Sequence, residues 1–112
     1  MIYCRWAVKL TMTFLENLAA LPEARGERLK LLDELGHEAA VIENAPGTAG
    51  SFRVYAALAR KHGAINALAA EEGLLIYAEH TDDARLNPGK HPNIDRLFEV
   101  SRSGAVLRAV VE

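Results

Sequence analysis

The chain is poor in several things, and each shortage removes a class of protein. It has one cysteine, Cys4, among 112 residues, so an internal disulfide and any multi-cysteine zinc or iron–sulfur site are excluded. No apolar run approaches the roughly 18–20 residues that cross a bilayer as a helix, and the start carries Arg5 and Lys9 with no small-residue cleavage pattern behind it. Charge of one sign is also scarce: 13 Lys+Arg stand against 15 Asp+Glu, a formal net charge of −2, which supplies no basic field for nucleic acid. Aromatics make up 6% of the chain and are scattered, so there is no basic-aromatic stripe on which single-stranded bases would stack. What the chain does have is 50% hydrophobic residues, enough for one modest core in a single domain. With its lone thiol, it fits a reduced, cytoplasmic setting.

The first eleven residues differ in character from the rest. Cys4 and Trp6 both lie there, and Met12 is followed directly by Thr13-Phe14-Leu15-Glu16, a capping box that opens a helix. The expected domain is therefore 12–112, with 1–11 an accessory arm or an extension upstream of a natural start at Met12. Phe14, Leu15, Leu18 and Leu21 form the stripe of the first helix, which Pro22 stops. Glu27 to Asp33 and Glu38 to Glu43 read as two strands joined at Glu34-Leu35-Gly36-His37, where Gly36 supplies a positive φ. A small-residue loop, 44–51, then leads into a helix from about Ser51 to His62. A further helical piece, Ile65 to Glu72, ends at Gly73. The nearly continuous apolar run Leu74-Leu75-Ile76-Tyr77-Ala78 reads as a buried central strand. Ile94, Leu97, Phe98 and Ser101 mark a helix capped by Asn93 and closed by Gly104, and Ala105 to Val111 reads as a last strand. The order α-β-β-α-α-β-α-β predicts an α+β or α/β two-layer sandwich with a mixed sheet of about four strands.

Two segments hold the candidate chemistry. The first is loop 44–53, where Gly47, Thr48, Gly50 and Ser51 bring free amides to a helix start and Arg53 adds a cation, a pattern suited to a small anion. It lacks the Gly-Lys-Ser/Thr of a P-loop, and a plain strand-to-helix connection would produce the same residues. The second is 80–95, with His80, Arg85, Lys90, His91 and Asn93 among Asp82, Asp83 and Asp95, placed after the supposed central strand. A solvated set of caps and turns would also account for it. His80 or His91 beside one of the three aspartates would make an acid/base pair for a small enzyme. The histidine and carboxylate spacing matches no metal-ligand pattern, so no metal or cofactor is called for, and no serine sits in a nucleophile elbow.

The segments Val41-Ile42-Glu43-Asn44-Ala45-Pro46-Gly47-Thr48-Ala49-Gly50-Ser51 and Asn87-Pro88-Gly89-Lys90-His91-Pro92-Asn93-Ile94-Asp95-Arg96-Leu97 resemble a family of small bacterial proteins of about a hundred residues and unknown function. The resemblance spans nearly all of the chain after residue 11 and implies a single-domain cytoplasmic bacterial protein, with no activity or catalytic residue to carry over. The leading expectation is a non-catalytic binding or accessory domain that holds a small anion or a protein partner on the face made by 44–53 and 80–95, without nucleic acid or membrane. The alternatives are the small enzyme and a homodimer that pairs through the closing strand at Val106-Leu107 and Val110-Val111.

Overall fold

The computed structural model describes residues 12–112, and the expectations placed on 1–11 (the arm, Cys4 and Trp6) lie outside the described residues. Helix α1 (Phe14–Ala20) begins at the Thr13 cap, where Glu16 donates its amide to Thr13 Oγ1 at 3.2 Å and accepts the Thr13 amide at 2.8 Å. Strands β1 (Arg28–Leu32) and β2 (Glu38–Glu43) form the expected antiparallel hairpin, with Leu29 opposite Ile42 and Lys30 opposite Val41. Gly36 has φ of +85° in the turn, and Asp33 Oδ1 accepts the amides of Leu35 and His37, so the turn is fastened from within.

Then come α2 (Ala49–His62), α3 (Ala67–Tyr77), α4 (Glu79–Leu86), α5 (Pro92–Ser103) and β3 (Arg108–Val111). The sheet has three strands in the order β2-β1-β3, and both pairings are antiparallel. The fold is α+β, and two expectations need correction. Among the described residues the sheet is neither mixed nor four-stranded, and 74–77 is helix, not strand, with Ala78 its C-cap.

The error has a physical cause. Helix α3 packs against α1, α2, α4 and α5 on one side and carries the exposed Leu68 and Leu75 on the other, so apolar residues lie nearly all round and no amphipathic period survives. A short apolar run of this sort looks the same in a buried strand and in a buried helix. Gly73, read as a terminator, is internal to α3. A Cβ placed there would come within 2.7 Å of Leu97 Cδ1 and 2.8 Å of Leu58 Cδ1, so glycine lets α3 lie close to α5 and α2. The core thus runs from Leu29, Leu31 and Ile42 of the sheet through Phe52, Tyr55 and Leu58 of α2 to Ile76, Ile94 and Leu97.

The outward face of the sheet is charged. Arg28 lies 3.3 Å from Glu43 and 3.4 Å from Glu112, and Lys30 lies 3.1 Å from Glu112. The Glu72 carboxylate ties α3 to α2 by meeting His62 Nε2 at 2.8 Å and Lys61 Nζ at 2.9 Å. Among the described residues, no helix is long and apolar enough to cross a membrane.

The α3–α4 junction is strained. Ala78 holds φ 52° and ψ −115°, a conformation that suits glycine and costs a side-chain-bearing residue roughly 1–3 kcal/mol. Two substitutions should therefore move stability in opposite directions in urea unfolding. Gly73→Ala should destabilise by about 1–3 kcal/mol through overpacking. Ala78→Gly should stabilise by about 1 kcal/mol, since relief of strain exceeds the roughly 0.5–1 kcal/mol of added chain entropy. Equal stability for all three proteins would contradict the packing described for α3.

Candidate functional site

The start of α2 is assembled from the small-residue loop. Thr48 is the N-cap residue, yet its side chain does not cap: Thr48 Oγ1 donates to the Glu43 carbonyl at 2.6 Å. The Thr48 and Ala49 amides reach the Ala45 carbonyl, whereas those of Gly50 and Ser51 find no acceptor among the described residues. Two donors at the positive end of a fourteen-residue helix are thereby left open.

Opposite them lies the connection from α4 to α5. Gly89 (φ +92°) makes a tight turn in which the Lys90 amide meets the Asn87 carbonyl at 3.1 Å and Asp95 Oδ2 accepts the Gly89 amide at 2.9 Å. Pro92 is the first residue of α5 and His91 its N-cap, so the cap lies two residues before the expected Asn93. The turn brings His91 and Lys90 back over α4, where both meet Asp83. His91 Nε2 lies 2.6 Å and Lys90 Nζ 3.0 Å from Asp83 Oδ2, while Asp83 Oδ1 accepts from Asn87 Nδ2 at 3.0 Å. The bonds from His91 first, and then Lys90, hold the Asp83 carboxyl down from 3.8 to about 2.

These two ends enclose a cleft of about 500 Å³. Gly47, Thr48, Gly50 and Ser51 form one wall, and Lys90, His91 and Asn93 the other. His80, from α4, completes the polar rim. Its ring lies 5.7 Å from that of His91 and packs edge-on to Phe14 at 5.2 Å. The floor is aromatic: Phe14 stacks on Tyr77 at 5.1 Å. Tyr77 Oη donates to Ser51 Oγ at 2.6 Å, and burial pushes its phenol up, so the proton stays on the tyrosine and the Ser51 hydrogen is left to donate elsewhere. Tyr55, also pushed up to about 12 by burial, gives its hydroxyl hydrogen to the Asn93 carbonyl, and Arg96 Nη1 bonds Asn93 Oδ1 at 2.8 Å. Asn93 is held rigidly as a result. No carboxylate is among the described residues that line this cleft.

Two of the ten candidate residues lie elsewhere. Arg53 turns its guanidinium to the carbonyls of Leu21 and Pro22, the end of α1, where an extended Leu21 leaves acceptors that need a donor. Arg85 pairs with Asp82 at 3.1 Å and lies over the Phe98 ring at 5.3 Å. Both were expected to add charge to a shared pocket, and neither lines it. Of the three candidate aspartates, only Asp83 reaches a histidine of the segment, since Asp82 is taken by Arg85 and Asp95 by the Gly89 amide. Phe14 and Tyr77 were missed as lining residues: the first read only as core, and the second was assigned to a strand. Among the described residues, no cluster of three or more His, Cys, Asp or Glu side chains has the arrangement of a metal site.

Fold and cleft together define, among the described residues, a helix-covered, three-stranded α+β domain with a recess at one helix start lined by His80, Lys90 and His91. The chain belongs to the bacterial family described as an uncharacterized protein conserved in bacteria (DUF2322), whose model matches residues 14–111. Neither the curated proteins nor the solved structures contain a match to this chain.

The position of Asp83 sets a pH dependence. Its carboxyl titrates lower in the folded chain than in the unfolded one, so the unfolded chain binds more protons in the acid range. The stabilisation that comes from ionised Asp83 is therefore present above about pH 4 and is lost as pH falls toward 2. Asp83→Asn should flatten that part of the stability profile, followed by thermal unfolding between pH 2 and 5. A variant that keeps the wild-type slope would show that the cluster does not form.

Proposed function

We propose that this domain binds a small anion, phosphate- or carboxylate-bearing, in the cleft between the start of α2 and the α4–α5 turn. One observation carries the reading: Lys90, His80 and His91 line the same recess as the unpaired Gly50 and Ser51 amides, and no carboxylate lines it with them. Backbone donors at a helix start, joined by the Lys90 ammonium and two imidazoles able to donate, favour negative charge through both hydrogen bonding and the field of the helix. Asp83 supports this arrangement from behind, because it fixes the directions of His91 and Lys90 without itself lining the recess. The stacked Phe14 and Tyr77 rings give the ligand's remainder an apolar floor.

A second reading rests on the 2.6 Å contact between His91 and Asp83, the orienting pair that an acid/base imidazole requires. Binding is the stronger reading because Ser51 and Thr48, the aliphatic hydroxyls among the residues that line the cleft, have Tyr77 and the Glu43 carbonyl as partners instead of an imidazole.

A thermal-shift series with inorganic phosphate, sulfate, acetate and a nucleoside monophosphate tests both. A ligand at a hundred times its Kd should stabilise the fold by roughly 2.7 kcal/mol. Lys90→Ala and His91→Ala should each raise Kd about tenfold, near 1.4 kcal/mol, while Arg85→Ala, outside the cleft, should leave it unchanged. No stabilisation by any of these anions at millimolar concentration would end the binding reading. Conversion of the bound monophosphate, followed by phosphorus NMR, would move the choice to the second.

A further inference from the structure

Among the described residues the sheet ends at β3 in an open edge whose geometry is self-complementary. Leu107 turns its N–H and C=O away from β1 and bonds Ile65 through both, at 3.0 and 2.8 Å. Glu112, of the opposite parity, gives its amide to the Arg28 carbonyl of the neighbouring strand. Strand alternation therefore points the backbone groups of Ala109 and Val111 outward with those of Leu107, and neither amide finds an acceptor among the described residues. Beside this edge, on the inner face of the sheet, lies a groove of about 410 Å³ whose lining includes Ala56, Ala59, Ala109 and Val111.

We infer that β3 pairs antiparallel with β3 of a second copy about a two-fold axis at Val110, forming a continuous six-stranded sheet. In this register Ala109 exchanges both hydrogen bonds with the partner's Val111, and Val111 with the partner's Ala109, so the open donors and acceptors on both edges are satisfied. The pairing also places Arg108 opposite the partner's Glu112. Arg108 is exposed and finds no carboxylate among the described residues of its own chain, whereas Glu112 stands on the same outward face beside Arg28 and Lys30. Cross-strand opposite charges therefore select the register. On the inner face, the partner's Val111 falls beside Ala109 at the mouth of the alanine-lined groove. A charge match, a hydrogen-bond match and an apolar match thus coincide in one self-pairing. The other edge lacks this agreement, since Glu38 and Glu43 at the two ends of β2 would face like charge in a self-pairing.

Sedimentation equilibrium over a concentration series tests the pairing, together with disulfide capture in a Cys4→Ser background. Val110→Cys places two thiols at a non-hydrogen-bonded pair with Cα atoms about 4.5 Å apart, within disulfide range. It should give a covalent dimer under mild oxidation, while Val41→Cys, an exposed control on β2, should not. Arg108→Glu should weaken association at least tenfold, with an unchanged melting temperature of the dilute protein as the check on folding. A chain that stays monomeric at high concentration overturns the inference and leaves the edge to a strand of another protein. So does a dimer indifferent to Arg108→Glu, or one captured equally well at Val41.

Discussion

The close approach of α3 to its neighbours is the constraint from which the rest of the arrangement follows. Gly73 leaves no room for even a methyl group between Leu97 of α5 and Leu58 of α2, so the three helices share one tight contact. With α3 fixed there, the sharp bend at Ala78 turns α4 back, and α4 carries His80 and Asp83 toward the beginning of α2. A wider spacing at Gly73 would move the α4–α5 turn away from α2 and open the recess. A glycine packed between two leucines therefore bears on the geometry of the polar site.

Within the site, Asp83 sets the order. Its two oxygens engage His91, Lys90 and Asn87, so one carboxylate fixes a turn and aims two potential cations. Partly exposed ion pairs contribute little to stability on their own. The consequence here is positional, because the pairs limit how the imidazole and the ammonium can move. Tyr77 and Tyr55 do the same for the opposite wall and for Asn93, each through a buried phenol whose proton is retained. The recess is built from preset donors, which would lower the ordering cost of the binding proposed for it.

Much of this was legible in the sequence wherever the signal was local. Thr13 with Glu16, Gly36 in its turn and the small-residue loop before α2 act over a few residues and mean the same thing in almost any fold. The two segments containing Gly47 to Ser51 and His80 to Asn93 could be picked out because they combine small or polar residues with element boundaries. What failed depended on tertiary neighbours. The run from Leu74 to Ala78 looks like a strand because α3 carries leucines on its exposed face, Leu68 and Leu75, as well as apolar residues on its buried one, and periodicity vanishes when both faces are apolar. Arg53 and Arg85 were assigned to the recess by proximity in sequence, yet their long side chains answer to groups brought near by folding: the free carbonyls of α1 in one case, and Asp82 with Phe98 in the other. The contact between Asp83 and His91 could not be preferred over Asp82 or Asp95 until the bend at Ala78 and the turn at Gly89 were known.

The central claim is that the unpaired amides at the start of α2 receive a negatively charged group. Amide NMR during a phosphate titration addresses it directly, since each N–H reports its own hydrogen bond. The account predicts that the Gly50 and Ser51 resonances move first and farthest, accompanied by Lys90 and His91 across the cleft. Saturating shifts confined to another surface, with Gly50 and Ser51 stationary, would contradict it.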